Sequence, residues 1–133
     1  MKWKIVHALS GTLMEDAAER LKAPETTELF GGVYLTANEV VWSRLLKHYA
    51  MPYAEIAWAY KQIEESHVSL GCCGGVLEEF RVVLLDARLR RCVVTFDRER
   101  FADALLECIA EKNPRTAIGY TVENRSRFGR VEG

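Results

Sequence analysis

Phe80-Arg81-Val82-Val83-Leu84-Leu85-Asp86-Ala87-Arg88-Leu89-Arg90-Arg91-Cys92-Val93-Val94-Thr95-Phe96 is the stretch whose reading decides the fold. With a period of two, Phe80, Val82 and Leu84 share one face of a strand, and Arg81, Val83 and Leu85 share the other. Both faces hold apolar residues, so the strand is expected to be covered on both sides or to meet a partner with its outer face. Cys92, Val94 and Phe96 repeat the pattern over 90–96, with Val93 and Thr95 opposite. β-Branched and aromatic residues dominate, which favours strand over helix in so short a run. The polar link Asp86-Ala87-Arg88 is short enough for an antiparallel hairpin.

Beyond the hairpin the period changes to that of a helix, expected over 98–112. Asp97 stands where an N-cap belongs, and Glu99 falls in the first turn near the positive end of the helix dipole. Phe101, Leu105, Cys108 and Ile109 recur on one face, so the helix should pack on the sheet. Asn113-Pro114 ends it, because the residue before proline avoids the α region.

Outward from this block the composition sets bounds. A chain of 133 residues suits one domain, and 49% hydrophobic residues suffice for a core. A net charge of −1 gives no general attraction to nucleic acid or to an anionic membrane. No apolar run reaches the roughly 20 residues of a membrane span, and the N-terminal apolar run is too short for a signal peptide. A cytoplasmic protein is expected, its four cysteines reduced thiols.

The preceding sequence supplies more sheet. Residues 1–9 alternate through Trp3, Ile5, His7 and Leu9 like a strand, with a helix equally open. Thr12 and Glu15 form a capping-box pattern, which predicts a helix over 13–23. Residues 33–46 read as a hairpin turning at Ala37-Asn38-Glu39. Residues 54–65 read as a strand that begins just after Pro52, because large and small residues alternate there; a helix is the rival. Residues 71–75 are a glycine-rich loop. After the helix, 116–121 is a candidate short strand, and the polar end is expected to fray. The expected organisation is one domain over 1–133: a helical extension (1–28), a sheet plus helix (29–121) and a polar tail (122–133). The fold class is α+β: a bent antiparallel sheet or partial barrel capped by one C-terminal amphipathic helix, with an extra N-terminal helix.

This order resembles the bacterial pleckstrin-homology-like (PH-like) domains. The likeness lies in Gly32-Val33-Tyr34-Leu35-Thr36-Ala37-Asn38-Glu39-Val40, in Met51-Pro52-Tyr53-Ala54-Glu55-Ile56-Ala57-Trp58 and in the strand-to-helix block over 80–112. The resemblance implies seven strands, a helix plugging one end of a bent sheet, and binding in place of catalysis. Some members of the wider fold bind phosphoinositides through basic residues in the first hairpin turn. Here that turn is Thr36-Ala37-Asn38-Glu39, without Lys or Arg, so lipid recognition is not carried over.

Candidate chemistry is sparse. Cys72 and Cys73, with His67, offer soft ligands for a metal or a thiol redox pair. Against that, adjacent cysteines bridge only through a strained ring, no C-x-x-C spacing is present, and two small residues in a glycine loop need no chemistry. His7, His48 and His67 stand in no nucleophile or metal motif, and phosphate loops and serine elbows do not occur. Glu64-Glu65 and Glu78-Glu79 read as solvated ends of strands. Arg88, Arg90 and Arg91 form a candidate patch for an anion or an acidic partner, or else a solvated turn with local ion pairs. Trp42, Trp58 and Tyr60 are candidates for an interface between two copies of the chain. The expectation is therefore a non-enzymatic, cofactor-free PH-like module that binds a protein or peptide, as a homodimer. A thiol-dependent redox or metal-binding protein is the alternative.

Overall fold

The computed structural model of the protein describes residues 4–14, 17–44, 47–70 and 73–128. In chain order its elements are β1 (Ile5–His7), the helical turn α1 (Ala17–Arg20), β2 (Thr27–Phe30), β3 (Val33–Leu35), β4 (Glu39–Arg44) and β5 (Lys47–Pro52). A 3-10 turn (Tyr53–Glu55) leads to β6 (Trp58–Leu70), β7 (Cys73–Leu85), β8 (Arg91–Phe96), α2 (Glu99–Lys112), β9 (Ala117–Ile118) and α3 (Val122–Phe128). The strands form two sheets, ordered β1-β5-β4-β3-β2 and β8-β7-β6-β9. All pairings are antiparallel except β1 with β5 and β9 with β6.

The α+β class and the C-terminal helix are as expected. In place of the expected bent antiparallel sheet or partial barrel there are two mixed sheets, because the N-terminal segment and the segment after α2 each add a parallel strand to an edge. Of the helix expected over 13–23, the described residues form only the turn Ala17–Arg20, and residues 15 and 16 lie outside them. Leu13 instead bridges to Val6, with Met14 N–H donating to Ile5 C=O at 2.8 Å. Backbone pairing to β1 outweighs a modest helical stripe that had little to pack on. Residues 47–52, unassigned in the sequence, pair along the whole of β4. The glycine loop contracts as well, since Cys73, Gly74 and Gly75 pair with Leu70, Ser69 and Val68. Asp97 is not the N-cap: Arg98 occupies that position, with no side-chain cap. β8 has to reach Phe96 to bury it, which leaves Asp97 one residue too early. The helix start is held by Lys61 instead, whose Nζ donates to Glu99 at 2.6 Å and to Asp103 at 2.8 Å.

Between the sheets lies the main core: Val33, Val40, Trp42 and Met51 from one sheet, Ala59, Val82, Leu84, Val94 and Phe96 from the other. Ala102, Leu105 and Ile109 of α2 close it, and burial of Leu105 and Ile109 contributes about 1.5–3 kcal/mol each. Two smaller clusters cover the outer faces. On the first sheet, Ile5, Val41 and Ala50 pack with Met14 and Leu21 of the N-terminal arm. On the second, Trp58, Tyr60, Val83 and Leu85 pack with Ala117 and Phe128 of the C-terminal segment. The described part of the tail expected to fray, residues 122–128, is thus part of a strap. Trp58 stacks between Tyr120 and Phe128, at centroid distances of 5.5 and 5.3 Å, and its Nε1 donates to Gly119 C=O at 2.8 Å.

One charge is buried in the first sheet. Glu39 is 1% exposed, and its carboxylate accepts both Nε and Nη2 of Arg20 at 2.7 Å. Thr36 Oγ1 lies 2.6 Å from Glu39 Oε1 and accepts the Glu39 N–H at 3.0 Å. This fork ties the N-terminal arm to the β3–β4 turn. Glu39→Gln should cost about 2–3 kcal/mol in urea unfolding, somewhat less than a fully buried pair because Arg20 keeps some water. A loss below about 0.5 kcal/mol would mean that the arm does not depend on the pair. Phe128→Ala should uncover Trp58 and shift tryptophan emission to the red at native ellipticity; unchanged emission would count against the strap.

Candidate functional site

The site is built on the β7–β8 turn. Asp86 C=O accepts Leu89 N–H at 2.9 Å, and Asp86 N–H donates to Arg90 C=O at 3.1 Å. Asp86 Oδ1 accepts the Arg88 and Arg90 N–H groups at 2.9 Å each, and Oδ2 accepts Arg90 Nε at 2.8 Å. Burial pushes the Asp86 carboxyl up, but the bonds from Arg90 and Arg88 outweigh it and hold it below the usual carboxylate range. Leu89 lies at φ +63, the position that glycine usually takes in such a bulged turn. A leucine there costs roughly 1–2 kcal/mol of backbone strain, offset by its packing on the Trp58 cluster.

The bulge fixes the polarity of β8. With Asp86 and Arg90 closing the turn, alternation makes Leu84↔Cys92 and Val82↔Val94 the pairs that exchange hydrogen bonds. Arg91, Val93 and Thr95 then turn their N–H and C=O groups away from β7, toward an edge that no strand among the described residues occupies. Beside this edge runs a groove of about 510 Å³ between the two sheets. Trp42, Ser43 and Arg44 of β4 form one wall; Arg91, Val93 and Thr95 form the other. A second hollow of about 480 Å³, with Ala8, Tyr49 and Cys92, shares Trp42, Arg44, Arg91 and Val93 with it, so the groove continues past the start of β8.

The expected arginine patch is divided. Arg88 and Arg90 line a separate basin of about 520 Å³ with Arg115 and Arg127, whereas Arg91 lines the groove. Strand alternation sends Arg90 and Arg91 to different sides. Arg44, Arg115 and Arg127 were not singled out in the sequence. A switch in β4 from the apolar Val40-Val41-Trp42 to Ser43-Arg44 was the available signal for Arg44. Trp42, Trp58 and Tyr60, expected at an interface between copies, are 6%, 0% and 5% exposed within the single chain. Trp42 belongs to the main core, and the strap covers Trp58 and Tyr60, which the sequence placed in a tail. Cys72 lies outside the described residues, as do the side chains of Cys73 and His67. Among the described residues no three His, Cys, Asp or Glu side chains group as a metal site, and no helix is long and apolar enough to cross a membrane.

Comparison with protein-family models, with curated proteins and with solved structures finds no match for this chain.

Cys92 and Cys108 are free thiols. Burial, with a smaller contribution from the Asp86 charge, pushes Cys92 up to about 12 from an ordinary value of 9.0. The thiolate is the reactive form. Iodoacetamide should therefore spare Cys92 in the folded protein and label it in urea, as read by peptide mass mapping. Rapid native labelling would mean that the groove wall at Cys92 opens.

Proposed function

We propose that the chain is a non-enzymatic, PH-like interaction module of the cytoplasm that binds a protein segment in the groove beside β8. One observation carries the binding role: a strand edge with outward backbone groups, set beside an apolar and basic groove between two sheets. Such an edge pairs with an extended chain, its backbone providing affinity and the walls selecting side chains. The PH-like assignment is supported by element order. β2 to β5 form a four-strand antiparallel meander, β6 to β8 a three-strand one, and α2 follows directly. That is the seven-strand-plus-helix order the resemblance implies. Lipid headgroup binding is not part of the proposal, because the β3–β4 turn lacks basic residues and its Thr36 and Glu39 are buried in contact with each other. The expected homodimer, if retained, has to use surfaces other than Trp42, Trp58 and Tyr60.

A selection of random peptides displayed on phage tests this reading, with the full chain as bait and its Thr95→Pro variant as counter-bait. Thr95 is exposed at the edge of the sheet, where proline is tolerated. Peptides enriched on the native chain and lost on the variant are expected. No enrichment over a blank surface, or enrichment indifferent to Thr95→Pro, would remove the groove as a binding site.

A further inference from the structure

The groove is not evenly charged. Arg44 on one wall and Arg91 on the other are exposed, and among the described residues neither has an acidic partner. At the far end Arg81 is already neutralised, 3.2 Å from Glu64 and 3.4 Å from Glu79. Uncompensated positive charge therefore collects where the groove meets its continuation, around Trp42 and Val93. An isolated cation on an edge strand is an ordinary guard against pairing. Two cations lining the same groove beside an open edge select by charge instead.

Resting on the binding role proposed above, we infer that the occupant is an acidic, extended segment of another protein, added to β8 as a further strand of the four-stranded sheet. Its backbone meets the outward groups of Arg91, Val93 and Thr95. Its side chains alternate between the side of Trp42 and Arg44 and the side of Arg91 and Val93, so acidic residues on either side meet one of the two arginines. β8 has six residues, so at about 3.3 Å per residue the contact extends about 20 Å. A second copy of this chain is a poorer occupant, because its own β8 carries β7 on one side and the β4 wall beside it. Its edge would also bring a second Arg91 to a basic site.

The test measures fluorescence anisotropy of labelled peptides of about eight residues, alternating Glu-Val, Gln-Val or Lys-Val, with the full chain. The Glu-Val peptide should bind at least about tenfold more tightly than the Gln-Val peptide, and the Lys-Val peptide should not bind. The double variant R44E and R91E should reverse the preference toward Lys-Val, a gain that a misfolded protein cannot produce. Thr95→Pro, with Val93→Pro as a second blocked edge, should weaken Glu-Val binding at least about tenfold at unchanged circular dichroism. Equal binding of Glu-Val and Gln-Val, with no effect of charge reversal, would overturn the acidic occupant while leaving the groove a binding site. Glu-Val binding indifferent to both proline variants would overturn strand addition. Failure of all three peptides to bind would overturn the acidic strand, and the random selection would decide the binding role on its own.

Discussion

Four consecutive residues of β7, Val82, Val83, Leu84 and Leu85, are each 0% exposed. Because neighbours on a strand point to opposite faces, a run of this kind requires cover on both sides of the sheet. Most of the architecture answers that demand. The inner face, with Val82 and Leu84, is met by the other sheet and α2. The outer face, with Val83 and Leu85, is met by the strap through Trp58 and Phe128. β4 imposes the same demand with Val40, Val41 and Trp42, and the N-terminal arm covers Val41. Each bare face would leave several large side chains in water, at about 1.5–3 kcal/mol apiece. The terminal segments are therefore parts of the core.

The arm and the strap are secured differently. Among the described residues the arm contributes only Ile5 at full burial, and it is fastened by the Arg20–Glu39 fork. A paired buried charge adds little net stability against an apolar replacement, but it tolerates few alternative placements. Register is what a short segment needs, since β1 pairs with β5 over three residues. The strap relies on ring stacking and on backbone bonds from Ala117 to Ala57 and from Gly119 to Ala59, with Thr116 Oγ1 on Ile56 C=O at 2.7 Å. Tyr120 and Val122 stay 49% and 72% exposed, so the strap is anchored mainly at its first residues and at Phe128.

The sequence made the centre of the molecule legible and its margins much less so. Period-two patterning located β6, β7 and β8, and the turn residues Ala37-Asn38-Glu39 between apolar runs located β3 and β4. The helical stripe located α2. The two-sided character of β7 was legible too, though not what covers it. Covering elements have few residues, and their signal is spread thin: one isoleucine in β1, one phenylalanine in α3. β5 escaped notice because Lys47 and His48 begin it and Pro52 ends it, so only Tyr49, Ala50 and Met51 carry apolar character. The groove was harder still. Arg91 stood out as a charge, but its pairing across space with Arg44, 47 positions earlier, depends on how the sheets are set, which periodicity does not encode.

The groove itself follows from how the sheets end. Adding β9 beside β6 and β1 beside β5 covers two sheet edges with the chain's own backbone. Among the described residues β8 keeps one neighbour, β7. A bare edge is normally a hazard for aggregation. Here it lines a groove with β4, and its outward side carries Arg91, Val93 and Thr95 in place of a continuous apolar row. The opening lies beside Trp42, a side chain shared with the main core. A segment bound there would contact the hydrophobic interior directly, and the β3–β4 unit held by Glu39 would form one wall of its site. The buried carboxylate and the open edge are thus connected through the position of β4.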